Sequence, residues 1–240
     1  MNLCVDIGNT SLKIGLFEGN MLIESASWKE WTIERIIEFG EYAKARNLIF
    51  SNVNKIDSFL ISELSRHFQT YELTAISPLP FENRYSTPET LGKDRLAAVA
   101  GAQALFPGQN CLVIDCGTCI KYDIINAYGT YFGGNIAPGA EMRIKAMHHF
   151  TARLPITPIK MPDDFWGDST ETALQNGALR GALLEMEGFI ELFEESCSPL
   201  QIVLTGGDAE FFLPFLEKYN PERVPDLTLY GLNNILIFNT

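Results

Sequence analysis

The chain has 240 residues, of which 46% are hydrophobic and 20% charged, and its 18 basic against 30 acidic side chains leave a formal charge of −12. This is the balance of an ordinary folded chain, long enough for one large domain or two smaller ones. So acidic a chain is a poor partner for a nucleic-acid backbone, and no apolar run reaches the roughly 18–20 residues of a membrane helix.

The opening segment "MNLCVDIGNT" has no basic stretch and passes straight into a strand, so no signal peptide is expected and the expected location is cytoplasmic. Five scattered cysteines, at 4, 111, 116, 119 and 197, do not make a disulfide framework. Cys116 and Cys119 form a CxxC, but neither a second CxxC nor a His pair at metal spacing accompanies it. It also sits in a strand–turn–strand instead of opening a helix, so these are read as small buried thiols.

In chain order, residues 2–7, 11–17 and 20–27 read as three strands with turns at Gly8-Asn9 and Glu18-Gly19-Asn20. Apolar residues at helical spacing predict helices over 32–45 and 57–66, with strands at 47–53 and 70–76. The Pro-rich crossing "SPLPFENRYSTPE", 77–89, is expected to hold no regular structure. A helix near 94–106 follows, and the pattern then restarts with three strands in 110–139. Helices are predicted at 139–149 and 169–196, then a strand in "LQIVLTGG" and a helix at 208–218.

Both halves open with three strands, the first two separated by an Asp-x-Gly-[Asn/Thr] turn, so the chain reads as a duplicated α/β unit. Domains are expected at 1–108 and 109–240. In such a turn the glycine lets backbone N–H groups approach an anion, while the strand-end carboxylate (Asp6, then Asp115) can serve a metal ion. Lys13 then supplies charge near the same anion. The plainer alternative is that each aspartate caps its own turn; its occurrence twice, in equivalent places, favours a phosphate-and-cation site. "VLTGGDAEFF" adds a strand, two glycines and a helix N-terminus, where a flat or anionic ligand finds room.

The motifs Asp6-Ile7-Gly8-Asn9-Thr10, Gly92-Lys93-Asp94-Arg95, Asp115-Cys116-Gly117-Thr118, "GGNIAPG" at 133–139, "LP" at 154–155 and "TGGDA" at 205–209 occur in one order. That order resembles the type III pantothenate kinases, of the superfamily of acetate and sugar kinases, Hsp70 and actin. The resemblance implies two duplicated ribonuclease-H-like (actin-like ATPase) domains with an interdomain nucleotide cleft. It also implies ATP-dependent phosphorylation of pantothenate, the first step of coenzyme A synthesis, with Mg2+ and a monovalent cation (K+ or NH4+), by a homodimer.

By the same resemblance, Asp6, Ile7, Gly8, Asn9, Thr10, Ser11, Leu12, Lys13 and Thr118 contact ATP, with Asp6 at its magnesium-bound phosphate end. Asp94 takes the proton of the pantothenate hydroxyl, and Tyr85, Gly92, Lys93, Arg95 and Thr170 join it in holding the substrate. Asp115 matches the monovalent-cation ligand. Residue chemistry offers plainer roles for several of these: a helix N-cap for Asp94, a surface salt bridge for Arg95, packing for Tyr85 and helix capping for Thr170. Asp168 and Glu171 have the spacing of a capping box, which would leave Thr170 free. His67, His148 and His149 show no catalytic pairing, and glycines at 177, 181 and 188 are spaced to let another element approach.

The chain departs from the family pattern twice. Cys119-Ile120-Lys121 stands where Ala-Thr-Thr is usual, and Lys93 replaces an alanine beside the proposed base. Two other readings compete with the pantothenate kinase: a kinase or polyphosphatase of the same fold with another acceptor, and a non-catalytic regulator of gene expression.

Overall fold

The computed structural model describes residues 1–8, 11–52 and 58–240. Its elements begin with β1 (Asn2–Ile7), β2 (Leu12–Glu18), β3 (Met21–Trp28), α1 (Ile33–Tyr42), β4 (Asn47–Asn52), α2 (Ser58–His67) and β5 (Gln69–Glu72). Then come β6 (Glu82–Asn83), α3 (Lys93–Leu105), β7 (Asn110–Cys116), β8 (Cys119–Ile125), β9 (Thr130–Pro138) and α4 (Ala140–His149). The chain continues with α5 (Thr170–Gln175), α6 (Gly181–Ser196), β10 (Leu200–Thr205), α7 (Ala209–Phe212), β11 (Glu222–Arg223) and α8 (Leu227–Phe238). Two compact units result: residues 1–108, 125–133 and 226–240 form the first, residues 109–124 and 134–225 the second.

In the first unit the sheet order is β3-β2-β1-β4-β5, with β1 antiparallel to β2 and parallel to β4. The second sheet has six strands in the order β6-β9-β8-β7-β10-β11, with β10 parallel to both neighbours and the two-residue β6 paired in parallel with the start of β9. Apart from that short edge strand, each sheet places its strands third-second-first-fourth-fifth, which is the expected α/β duplication expressed as topology.

Strand β1 is apolar along most of its length because both of its faces are covered. Leu3, Val5 and Ile7 pack with Ile36, Leu60 and Leu64 of α1 and α2. The alternate residues point the other way, where Asn2 donates its side-chain amide to Asn233 of α8 at 2.9 Å. Helix α8 is apolar around most of its circumference, as a largely covered helix is, with Thr228 and Asn233 buried among the apolar residues. It lies on β1 and against α3 so closely that a Cβ on Gly231 would collide with the Ala97 carbonyl, and one on Gly101 with that of Leu227. In the second unit Leu112, Ile114 and Cys116 of β7 pack with Ile120, Tyr122, Ala140, Leu179 and Met186.

Four expectations need correction. The Pro-rich crossing holds β6, where Glu82 N–H donates to the Gly129 carbonyl at 2.8 Å, and a 3-10 turn at Pro88–Thr90. Proline is compatible with both because it stands at the start of the turn and outside the two paired residues. The strand predicted over 70–76 ends at Glu72. The helix predicted over 169–196 is broken by a π turn at Asn176–Arg180, and that over 208–218 stops at Phe212 before Pro214, which has no N–H to continue it. Residues 219–240, unassigned from the sequence, contain β11 and α8.

Candidate functional site

In the first unit, the β1–β2 hairpin sets Asp6 directly across from Lys13. Gly8 N–H closes the turn on the Ser11 carbonyl at 3.1 Å. Asn9 and Thr10 lie outside the described residues. Ile7 and Leu12 are buried in the core, so from them only backbone atoms are available to a ligand. The Asp6 carboxylate receives the Ser51 hydroxyl of β4 at 2.5 Å. Burial pushes its pKa up, and the charge of Asp94 adds to that, while Ser51, Lys13 and Thr228 pull it down. Thr228, from α8, is a residue the sequence reading missed; its hydroxyl oxygen is buried beside Asp6.

Asp94 is the second residue of α3, whose N-cap is Gly92, and the cap position makes no side-chain bond. The N-cap alternative for Asp94 therefore fails. Its Oδ1 occupies the space that a Cβ on residue 92 would need, which explains a glycine two residues before the acid. Lys93 faces Glu72 at 3.6 Å. Arg95 is only 4% exposed, with its guanidinium 5.4 Å from the Tyr85 ring centre, so it is a buried cation and not a surface one. Tyr85 in turn stacks on Tyr131 with centroids 6.4 Å apart, and a Cβ on Gly133, at φ +102°, would strike its ring. The structure thus brings Tyr85, Gly92, Asp94 and Arg95 together, and puts Asp94 within electrostatic reach of Asp6.

In the second unit the turn after β7 is one residue shorter: Gly117 N–H donates to the Cys119 carbonyl at 3.1 Å. Asp115 Oδ2 lies 2.6 Å from Lys121 Nζ, both side chains being 17% exposed. Two further loops are stitched to this turn. Asp208 N–H donates to the Cys116 carbonyl at 2.9 Å, and Gly139 N–H to that of Thr118 at 3.1 Å. Gly206, at φ +93°, abuts Asp115 Oδ1 and the Cys116 carbonyl, whereas Gly207 faces open space. Thr118 is exposed at the tip. Burial, then the charge of Glu141, raises the Asp208 pKa.

Burial holds the Cys116 thiol protonated, with the charges of Asp115 and Asp208 adding to the effect, so it is no nucleophile at neutral pH. Among the described residues no group of three or more His, Cys, Asp or Glu is arranged to hold a metal. His67 pairs with Glu41 at 2.7 Å, His148 contacts the Leu154 carbonyl at 2.6 Å, and His149 packs edge-on to Phe150. The N-cap of α5 is Ser169, which forms a capping box with Thr172; Asp168 accepts the Thr172 hydroxyl at 3.1 Å. The expected Asp168–Glu171 box is thereby replaced. Thr170 is exposed and takes no part in the cap.

No helix among the described residues is long and apolar enough to cross a membrane. A relative named type III pantothenate kinase in Flavobacterium johnsoniae is 42% identical over 99% of this chain and 94% of its own length. Among solved structures, a Campylobacter jejuni protein described as a candidate Baf family transcriptional activator covers 99% of this chain and 98% of its own, at TM-score 0.65 and 24% identity. A ROK hexokinase from Thermus thermophilus covers 99% of each chain, at TM-score 0.51 and 14% identity. These two likenesses are of fold alone. The sequence model of the type III pantothenate kinases matches residues 2–192, and the chain belongs to that family.

Proposed function

We propose that the protein is an ATP-dependent pantothenate kinase, with Asp94 as the acceptor of the hydroxyl proton. The observation that carries the assignment of Asp94 is its setting. It lies in the same unit as Asp6, close enough for the charge of one carboxylate to raise the pKa of the other, and it is flanked by the buried Arg95 under Tyr85. A carboxylate so placed orients an alcohol and takes its proton as the bond to phosphorus forms. Arg95 offers a planar pair of donors to the substrate carboxylate, with Tyr85 fixing its plane. Lys93, Gly92 and the exposed Thr170 complete the proposed acceptor set.

The residues fit a magnesium-bound triphosphate. The buried Asp6 carboxylate, its charge disfavoured further by Asp94 and with the buried Thr228 hydroxyl beside it, would suit a divalent ion that keeps its other positions for water and phosphate. An ion held by Asp6 would neutralise charge on the transferring phosphoryl group. Asp6, the Gly8–Lys13 segment and Thr118 are the proposed nucleotide contacts. The resemblance also attaches a monovalent ion to Asp115, but Oδ2 of that residue already faces the Lys121 ammonium, so the arrangement does not fit a free ion on that oxygen.

The finer partner assignments follow the same reading: a homodimer in the cytoplasm. Cβ atoms on Gly177, Gly181 and Gly188 would meet nothing, and Leu184 and Leu192, on the same helical stripe, are 61% and 60% exposed. This stripe is open to a second copy. The deciding assay is ADP release on adding pantothenate. Asp94→Asn should lower kcat by about 10²-fold or more, the usual loss of a general base. Undiminished turnover would remove Asp94 from the mechanism.

A further inference from the structure

The family resemblance leaves Lys121 without a role, since a hydroxyl is usual at its position. Its place in the fold supplies one. Counting from the two glycine-to-carbonyl bonds that close the turns, Gly8 to Ser11 and Gly117 to Cys119, Lys121 stands in β8 where Lys13 stands in β2, two residues past the accepting carbonyl. The lysine one residue sooner in the second motif is thus the result of a shorter turn, and the acid–lysine pairing across the hairpin is kept.

At Asp115 the pairing is tight. The ammonium lies 2.6 Å from Oδ2, the length of a charge-assisted bond, and both side chains are largely withdrawn from water. Oδ1 is wedged against the Gly206 backbone, in a loop held by the Asp208-to-Cys116 bond. A carboxylate so enclosed needs a cation to offset its lost hydration, and with Asp208 and Glu141 in the same region the local charge is negative. A lysine on the adjacent strand meets that need without the translational entropy that a free ion loses on binding.

We propose that the Lys121 ammonium is the resident cation of Asp115, a tethered replacement for a free monovalent ion, so that this enzyme works without potassium or ammonium. The proposal rests on the pantothenate kinase reading, and its test separates the two. Turnover and ATP affinity, the latter from fluorescence of a labelled ATP analogue, are measured at constant ionic strength in chlorides of potassium, ammonium, sodium and tetramethylammonium. Wild type should vary by less than about twofold across them. Lys121→Met should lose about tenfold in both readouts in tetramethylammonium chloride, as expected for one electrostatic contact in a phosphate site, and regain it saturably with ammonium or methylammonium. Lys121→Arg should remain indifferent to the salt.

Potassium raising wild-type turnover or ATP affinity by about fivefold over sodium would overturn the proposal, as would a folded Lys121→Met variant unimpaired in every salt. The wild-type salt series needs no variant, so misfolding of Lys121→Met leaves the question decidable. Absence of turnover with pantothenate in all salts would instead overturn the substrate reading, and the affinity series would still decide the cation.

Discussion

Two neighbouring glycines should respond oppositely to the same substitution. Gly206 has φ +93°, and an added Cβ would lie 2.5 Å from Asp115 Oδ1 and 2.6 Å from the Cys116 carbonyl carbon. A side chain at positive φ costs about 1–2 kcal/mol, and forcing an extra carbon against backbone adds about 1–3 kcal/mol. Taking about 3 kcal/mol, Gly206→Ala should lower Tm by about 6–12 °C for a chain of this size. Gly207 has no such φ, and its Cβ would meet nothing within 4 Å, so Gly207→Ala should stay within about 0.5 kcal/mol of wild type. Differential scanning calorimetry without nucleotide measures both. A labelled-ATP titration then shows what the open side of Gly207 is for: weaker binding by a variant of unchanged Tm places the nucleotide against it. The reasoning fails if Gly206→Ala melts with wild type, or if both variants lose the same stability.

Asp6→Asn should abolish turnover yet stabilise the ligand-free protein at pH 8. Burial, reinforced by Asp94, puts the folded pKa of Asp6 above its unfolded value, so folding favours the protonated form and stability falls as pH rises from the ordinary carboxylate range through the raised value. The asparagine removes that cost. Its advantage should therefore disappear near pH 3, about one unit below the ordinary aspartate pKa, and a variant less stable than wild type at pH 8 would contradict the account. Leu184→Asp, on the exposed stripe of α6, should shift the protein from dimer to monomer in light scattering without lowering Tm by more than about 1–2 °C, because residue 184 is 61% exposed in its own chain. A mass unchanged by the substitution would remove this stripe from the dimer contact.

The sequence disclosed elements wherever one face was apolar and the other polar. It disclosed α1 and α2 through their helical period, and the hairpins through Gly8 and Gly117. Helix α8 escaped because the few polar residues of "LTLYGLNNILIF" form no solvent face to mark a period: the helix packs on α3 and the sheet, and Thr228 and Asn233 are buried with its apolar residues. Missing α8 also meant missing Thr228, the hydroxyl it brings to Asp6. Strand β6 was hidden by prolines that flank, rather than occupy, its two paired residues. Arg95 looked like a surface residue because helices usually expose their arginines; only the fold shows it covered by Tyr85.

The plainest reading of the two aspartates, as caps of their own turns, is answered by where their bonds go. Among the described residues, each turn carries a closing backbone bond, from Gly8 to Ser11 and from Gly117 to Cys119. The carboxylates instead bond sideways within the sheet, Asp6 to Ser51 on the parallel neighbour and Asp115 to Lys121 across the hairpin. Neither bond is needed to make the turn, and burying Asp6 beside Asp94 destabilises its charged form. A fold keeps such a group only where something outside the turn uses it. The same disposition in two topologically matched sheets implies that the use was inherited by both copies of the repeat. In the second copy the cation facing the carboxylate is Lys121, while in the first Asp6 has Lys13 across the hairpin and the like charge of Asp94 nearby.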